Sequence, residues 1–258
     1  MIKAIGIYRE NALAGKVNAD KNILELTGSY LKQNNFDVSF KDQSEVNYDT
    51  NADIIFSMAR GKDINEILSK KNIIFFNKPQ AIMQTLNRKE VYKKMMEVGA
   101  NLPNTRILLL SEISFDDISR KSILKPASRH EFWFIVENSD DFNKAIDEYK
   151  DNNINEIIVQ DFVEGEHVKF YGINDEVFLP LKTNEYPEET INKIKKQIKI
   201  VREITGLDIY GGDFIIKEKP YCIDFNDWPS FGSVEGYTQE EMGPKIGKFV
   251  LEEFNKTL

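Results

Sequence analysis

The sequence predicts an α/β (α+β) protein, on three observations. Apolar stretches alternate with amphipathic helical ones over roughly the first 80 residues, short strands dominate the middle, and a hairpin of two alternating stretches lies near the C-terminus.

Residues 2–8 read as a strand, and 20–31 as a helix with Ile23, Leu24, Leu26, Thr27, Tyr30 and Leu31 on one side. Strand-like pieces at 36–40, 52–58 and 72–76, with a helical 64–69 between the last two, extend this into a small parallel lobe. Farther on, Val91, Met95, Met96 and Val98 give a helical apolar face that Gly99 stops. Strands are predicted at 105–110, 122–125, 133–136, 156–162, 167–173 and 177–181. Helices are predicted at 140–149, at 188–205 through Ile191, Ile194, Ile198, Val201 and Ile204, and at 242–254.

The hairpin carries the chemistry. Residues 212–217 and 221–226 alternate apolar and polar side chains around the turn-like Glu218-Lys219-Pro220, and Pro220 suits the start of a strand. An even-numbered connection sets Asp213 opposite Asp224, with Asn226 on the same face; an odd one sends Asp213 to the other face. Facing carboxylates, about 4.5–5.5 Å apart at Cβ, repel unless a cation or a retained proton lies between them. Two carboxylates and an amide oxygen suit Mg²⁺, which takes the rest of its shell from water and substrate phosphates. A plain surface hairpin is the competing reading; the opposing acid and the Trp228-Pro229-Ser230 turn favour the metal.

A chain of 258 residues can bury a substantial core as one unit or as two or three lobes. Its net charge of -8 argues against nucleic acid or an anionic membrane as the main partner, so any anion site must be built locally. Cys222 is the only cysteine, which excludes an internal disulfide and points to a reducing cytoplasm; flanked by Tyr221 and Ile223, it reads as a core residue. No apolar run approaches membrane-spanning length, and Arg9 and Glu10 come too early for a signal peptide.

Counting excludes much else. With His130 and His167 as the only histidines, neither a H-E-x-x-H site nor a Cys/His zinc cluster can form. Gly6 lacks the companion glycines of a dinucleotide fold, and no phosphate loop, nucleophile elbow or protein-kinase motif is present.

The order of these pieces resembles the ATP-grasp superfamily, the glutathione synthetase and RimK-like ligases above all, over almost the whole chain. The motifs are a helix opening N-R-K, a strand ending Lys125-Pro126, the hinge-like IIVQDFVEGE and the closing IDFNDWP. The resemblance implies an ATP-grasp fold behind a Rossmann-like pre-ATP-grasp lobe: residues 1–85, then a lid subdomain at 86–163 and a C-terminal subdomain with the metal site at 164–258. By the same resemblance Lys89 and Lys125 touch nucleotide phosphates, Gln160, Phe162 and Val163 meet the adenine edge, and Glu166 holds the ribose. Asp213, Asp224 and Asn226 hold Mg²⁺ or Mn²⁺.

The loop after Lys125-Pro126 departs from the family pattern. It has no glycine, which leaves its backbone less free to approach a phosphate and gives that role to the side chains of Ser128, Arg129 and His130. This and the I-D-x-N ending also make the chain similar to the ATP-grasp inositol phosphate kinases. The resemblance implies a ligase that activates a substrate carboxylate as an acyl phosphate for attack by an amine. A kinase acting on a polyol or inositol phosphate and a non-catalytic nucleotide-binding regulator are the alternatives. Lys125, Arg129 and His130 are the expected catalytic residues, and Arg9, Glu10, Lys169 and Lys182 are candidates to hold a small-molecule or peptide substrate; a homodimer is left open.

Overall fold

Three four-stranded sheets organise the chain in this computed structural model, which describes residues 1–9, 17–118, 120–128 and 132–257. The first is parallel. It comprises β1 (Ile2–Ile7), β2 (Phe36–Lys41), β3 (Ile54–Ser57) and β4 (Ile74–Phe76) in the order β2-β1-β3-β4. β1 and β3 are buried on both faces, which is why they read as near-continuous apolar runs. Helix α1 (Val17–Gln33) packs Ile23, Leu24 and Leu31 on one face of the sheet, and α2 (Lys62–Ser69) places Leu68 on the other. The strand order turns back between β1 and β3, so their carboxyl ends open a crevice.

Two helices follow. The predicted one is α4 (Arg88–Glu97), which ends just before Gly99 at φ 68°. The sequence reading does not contain α3 (Pro79–Leu86), although Pro79 sits in its first turn, where a missing N–H costs nothing.

The second sheet is antiparallel: β5 (Thr105–Leu109), β6 (Ser122–Pro126), β7 (Phe134–Val136) and β8 (Glu156–Asp161) in the order β5-β8-β6-β7. Helix α5 (Ser139–Asp151) covers one face, with Phe142, Ala145, Ile146 and Tyr149 against Leu124, Val136, Ile157 and Val159. The period of two therefore turns Ile123, Lys125, Ile158 and Gln160 to the opposite face.

The third sheet, also antiparallel, contains β9 (Glu166–Ile173), β10 (Glu176–Phe178), β11 (Ile209–Ile216) and β12 (Pro220–Asp227), ordered β10-β9-β11-β12. β10 is shorter than expected because the chain turns into a 3₁₀ segment at Leu181–Glu185. Helix α6 (Glu188–Thr205) packs Ile194, Ile198 and Val201 on Phe170, Phe214 and Phe225, and Cys222 lies in this core as expected. Helix α7 (Gln239–Asn255), capped reciprocally by Thr238 and Glu241, returns to the first lobe and packs on α1. Among the described residues no helix is long and apolar enough to cross a membrane.

Candidate active site

The hairpin β11–β12 reaches its predicted arrangement by an unpredicted route. Ile216 pairs with Pro220, so the connection has three residues, an odd number that by itself would set Asp213 opposite Ile223. The register shifts between Asp213 and Phe214, with Phe214 opposite Cys222 and Asp213 opposite Asp224; Ile223 is the extra residue of a bulge. Odd turn and bulge cancel, and the two acids share a face. Asn226 joins them, its Nδ2 donating to Asp224 Oδ2 at 2.6 Å, while its own Oδ1 has no protein donor among the described residues.

Basic side chains surround the pair. Asp213 Oδ1 lies 2.6 Å from His167 Nε2 and 3.0 Å from Lys169 Nζ, both on β9. Asp224 Oδ1 accepts from Arg88 Nη2 at 3.0 Å, and the Arg88 side chain is 6% exposed. Among the described residues no group of three or more His, Cys, Asp or Glu side chains forms a metal cluster. Two facing carboxylates and a free amide oxygen are the donor set present, and it fits a hard, oxygen-preferring divalent ion rather than zinc.

Lys125 faces this hairpin from β6. Its Nζ donates to Ile223 O and to Gln160 Oε1, each at 2.7 Å, and Tyr92 on α4 donates its hydroxyl to the same Ile223 carbonyl at 2.8 Å. The bulge thus supplies the oxygen that ties the two sheets and α4 together. Burial lowers the Lys125 pKa from its ordinary value to about 8, and it raises those of Tyr92 and Cys222, so the thiol stays protonated.

The other expected residues divide. Lys89 forms an ion pair with Glu156, and its backbone N–H bonds Ala127 O at the end of β6. Gln160 is 1% exposed and uses its side chain on Lys125 and on Thr105 Oγ1 rather than facing open space. Phe162 N–H is committed to Lys121 O, whereas Val163 N–H has no partner among the described residues. Glu166 pairs with Lys182 at 2.7 Å, and that hydrogen bond lowers its pKa; Lys182 also donates to His167 O. Lys169 lies at the acids, but Arg9, a substrate candidate in the sequence, commits its donors to protein: Nη1 to Asp20, Nη2 to Trp228 O and Nε to Met58 O. Ser128 is exposed. Glu10, Arg129 and His130 lie outside the described residues.

Arg88, Tyr92 and His167 are additions. Arg88, Val91, Tyr92 and Met95 follow the helical spacing i, i+3, i+4, i+7, so Arg88 shares the buried stripe of α4. A charged residue on an apolar stripe was the available signal. His167 had one too, since it alternates with Lys169 on a strand beside the hairpin.

Compared with solved structures, the whole chain superposes on D-alanine–D-alanine ligase from Bacillus anthracis, one structure of which is complexed with ATP. The identity is 12% and the TM-score 0.79, with 100% of this chain and 98% of that one covered. The chain has the ATP-grasp fold. The VanG D-Ala:D-Ser ligase from Enterococcus faecalis also matches, at 12% identity and TM-score 0.79 over 98% and 99% of the two chains. So does a RimK domain ATP-grasp protein from Sphaerobacter thermophilus, at 12% and 0.74 over 96% and 99%. No protein-family model and no curated protein matches the sequence. In this ATP-grasp fold, the second and third sheets are the two walls whose facing side chains are described above.

Proposed function

We propose that the protein is an ATP-dependent ligase that joins a carboxylate to an amine through an acyl phosphate. One observation carries this reading: two opposed carboxylates and an amide, ringed by Arg88, Lys125, His167 and Lys169, lie between the sheets of an ATP-grasp fold. Asp213, Asp224 and Asn226 would hold Mg²⁺ or Mn²⁺. Bound there, the ion would neutralise charge on the transferred phosphate.

The chain's own part is positioning and charge. Lys125 would meet the nucleotide phosphates, where an approaching anion would offset the burial that lowers its pKa and hold the ammonium protonated. Arg88 and Lys169 stand close enough to the acids to offset the remaining charge, and Lys89 adds to this by leaving Glu156. A carboxylate oxygen of the substrate attacks the γ-phosphorus and ADP leaves; the amine nitrogen attacks the acyl carbon, phosphate leaves and the nitrogen loses a proton. No protein nucleophile is needed, and the buried, protonated Cys222 offers none. On this reading residues 1–85 form the lobe contributing to the acceptor site, 86–163 the lid and 164–258 the metal-bearing subdomain.

An ADP-release screen with amino acids, peptides and polyol phosphates, run with hydroxylamine present, tests the reaction class. A hydroxamate that disappears with Asp224→Asn is the expected result. Phosphorylated alcohol without hydroxamate would make the protein a kinase, and nucleotide binding without turnover on every panel would make it a regulator.

A further inference from the structure

Immediately after the acids, β12 ends in a buried ionic clasp. Asp227 is 1% exposed, and its carboxylate is shared by two arginines from the parallel lobe. Arg60, just past β3, places Nη2 at 2.5 Å and Nε at 2.7 Å from Asp227 Oδ1. Arg9, just past β1, places Nη2 at 3.5 Å from Asp227 Oδ2 and at 2.8 Å from Trp228 O, while its Nη1 reaches Asp20 of α1 at 3.2 Å. The next residue, Trp228, is fully buried at φ 25°, a conformation that a non-glycine residue keeps only when its surroundings impose it. Packing on Phe56 of β3 and the Arg9 bond to its carbonyl are those surroundings.

The clasp therefore fixes the end of β12 to the crevice at the carboxyl ends of β1 and β3. Asn226 is the adjacent residue and Asp224 lies two before it, so their oxygens are held by the same anchor. We infer that Asp227, bridging Arg9 and Arg60, is a positioning residue that sets the metal-bearing hairpin against the N-terminal lobe. This inference rests on the metal reading above. It touches neither metal nor substrate itself. Removing its charge takes away the carboxylate that lies between the two largely buried guanidiniums; Asp20, which also acts on both, offsets only part of their repulsion, and the rest pushes the strand end from the lobe and spreads the ligand set.

Mn²⁺ binding to the full chain, followed by electron paramagnetic resonance with ADP present, tests this without turnover. Thermal melting and metal-free ADP affinity are recorded beside it. Wild type should bind Mn²⁺, and Asp227→Asn should bind it about tenfold or more weakly, the scale of losing a group that orients a metal ligand. Metal-free ADP affinity should stay as in wild type. Asp227→Glu, which keeps the charge, should recover part of the loss. If Asp227→Asn does not fold, Arg60→Met, which leaves the Arg9 contact in place, should show a smaller weakening of the same kind. Folded variants with wild-type Mn²⁺ affinity would overturn the positioning role while leaving the metal site standing. A wild type that binds no Mn²⁺ would overturn the metal reading and the positioning role together.

Discussion

Lys125 is a basic residue held away from water. It is 5% exposed, and the acceptors within 3 Å of its nitrogen are an amide and a backbone carbonyl rather than a carboxylate. Its folded pKa, about 8, lies below the ordinary 10.5, so the folded state binds this proton less readily than the unfolded chain. The cost is in full force below about pH 8 and fades as pH rises toward 10.5. Urea unfolding without nucleotide should therefore show wild type gaining stability over Lys125→Met by about 2 kcal/mol between about pH 7.5 and about pH 9.5. A gap that stays constant over that window would mean that the ammonium is not desolvated. The shared face of Asp224 and Asn226 was legible from a strand's period of two, that of Asp213 only as one of two alternatives, and Lys125 stood out through the resemblance carried by its strand-ending Lys-Pro. The commitment of Arg9 to the Trp228 carbonyl was not legible, since that partner reaches it only when the lobes pack.

At the scale of elements, the hairpin shows where sequence reasoning stops. Both strands were visible, and so was the face that the acids would share given an even connection. The bulge at Ile223 was not, because a bulge in an apolar strand replaces one β-forming residue by two and leaves the alternation looking like slight irregularity. Its carbonyl, turned out of the ladder, is taken by Tyr92 and Lys125. Tyr92→Phe removes one of these two donors and should lower stability by about 1 kcal/mol, read as a shift in the urea midpoint at unchanged slope. An unchanged midpoint would show that the hydroxyl adds nothing to the junction. Helix α3 was missed for a related reason: its eight residues are too short to display a periodicity that stands out from the loop preceding α4.

Over the whole molecule, the chain closes on itself through α7. Residues far apart in sequence meet where α7 lies on α1, and the approach is so close that a side chain at Gly247 would come within 2.7 Å of the Tyr30 ring. Gly247→Val should force the helices apart and cost about 1–3 kcal/mol, seen as a lower melting temperature. Unchanged melting would mean that the two helices are not held at this distance. The parallel lobe, the short middle strands and the closing hairpin were legible from alternating periods; the gathering of those strands into two antiparallel sheets was not, and the mutual arrangement depends on contacts such as Asn77 with Ile209 and Arg60 with Asp227, which no local pattern announces. That arrangement brings acids and bases together in a chain whose net charge is -8, making locally the cationic surroundings that the proposed function calls for. The most direct measurement is an anomalous-difference map from crystals soaked in Mn²⁺ and a non-hydrolysable ATP analogue. A manganese peak bonded to oxygens of Asp213 and Asp224 and to the nucleotide's phosphates is expected; a peak elsewhere, or a nucleotide bound away from these two acids, would rule out the proposed site.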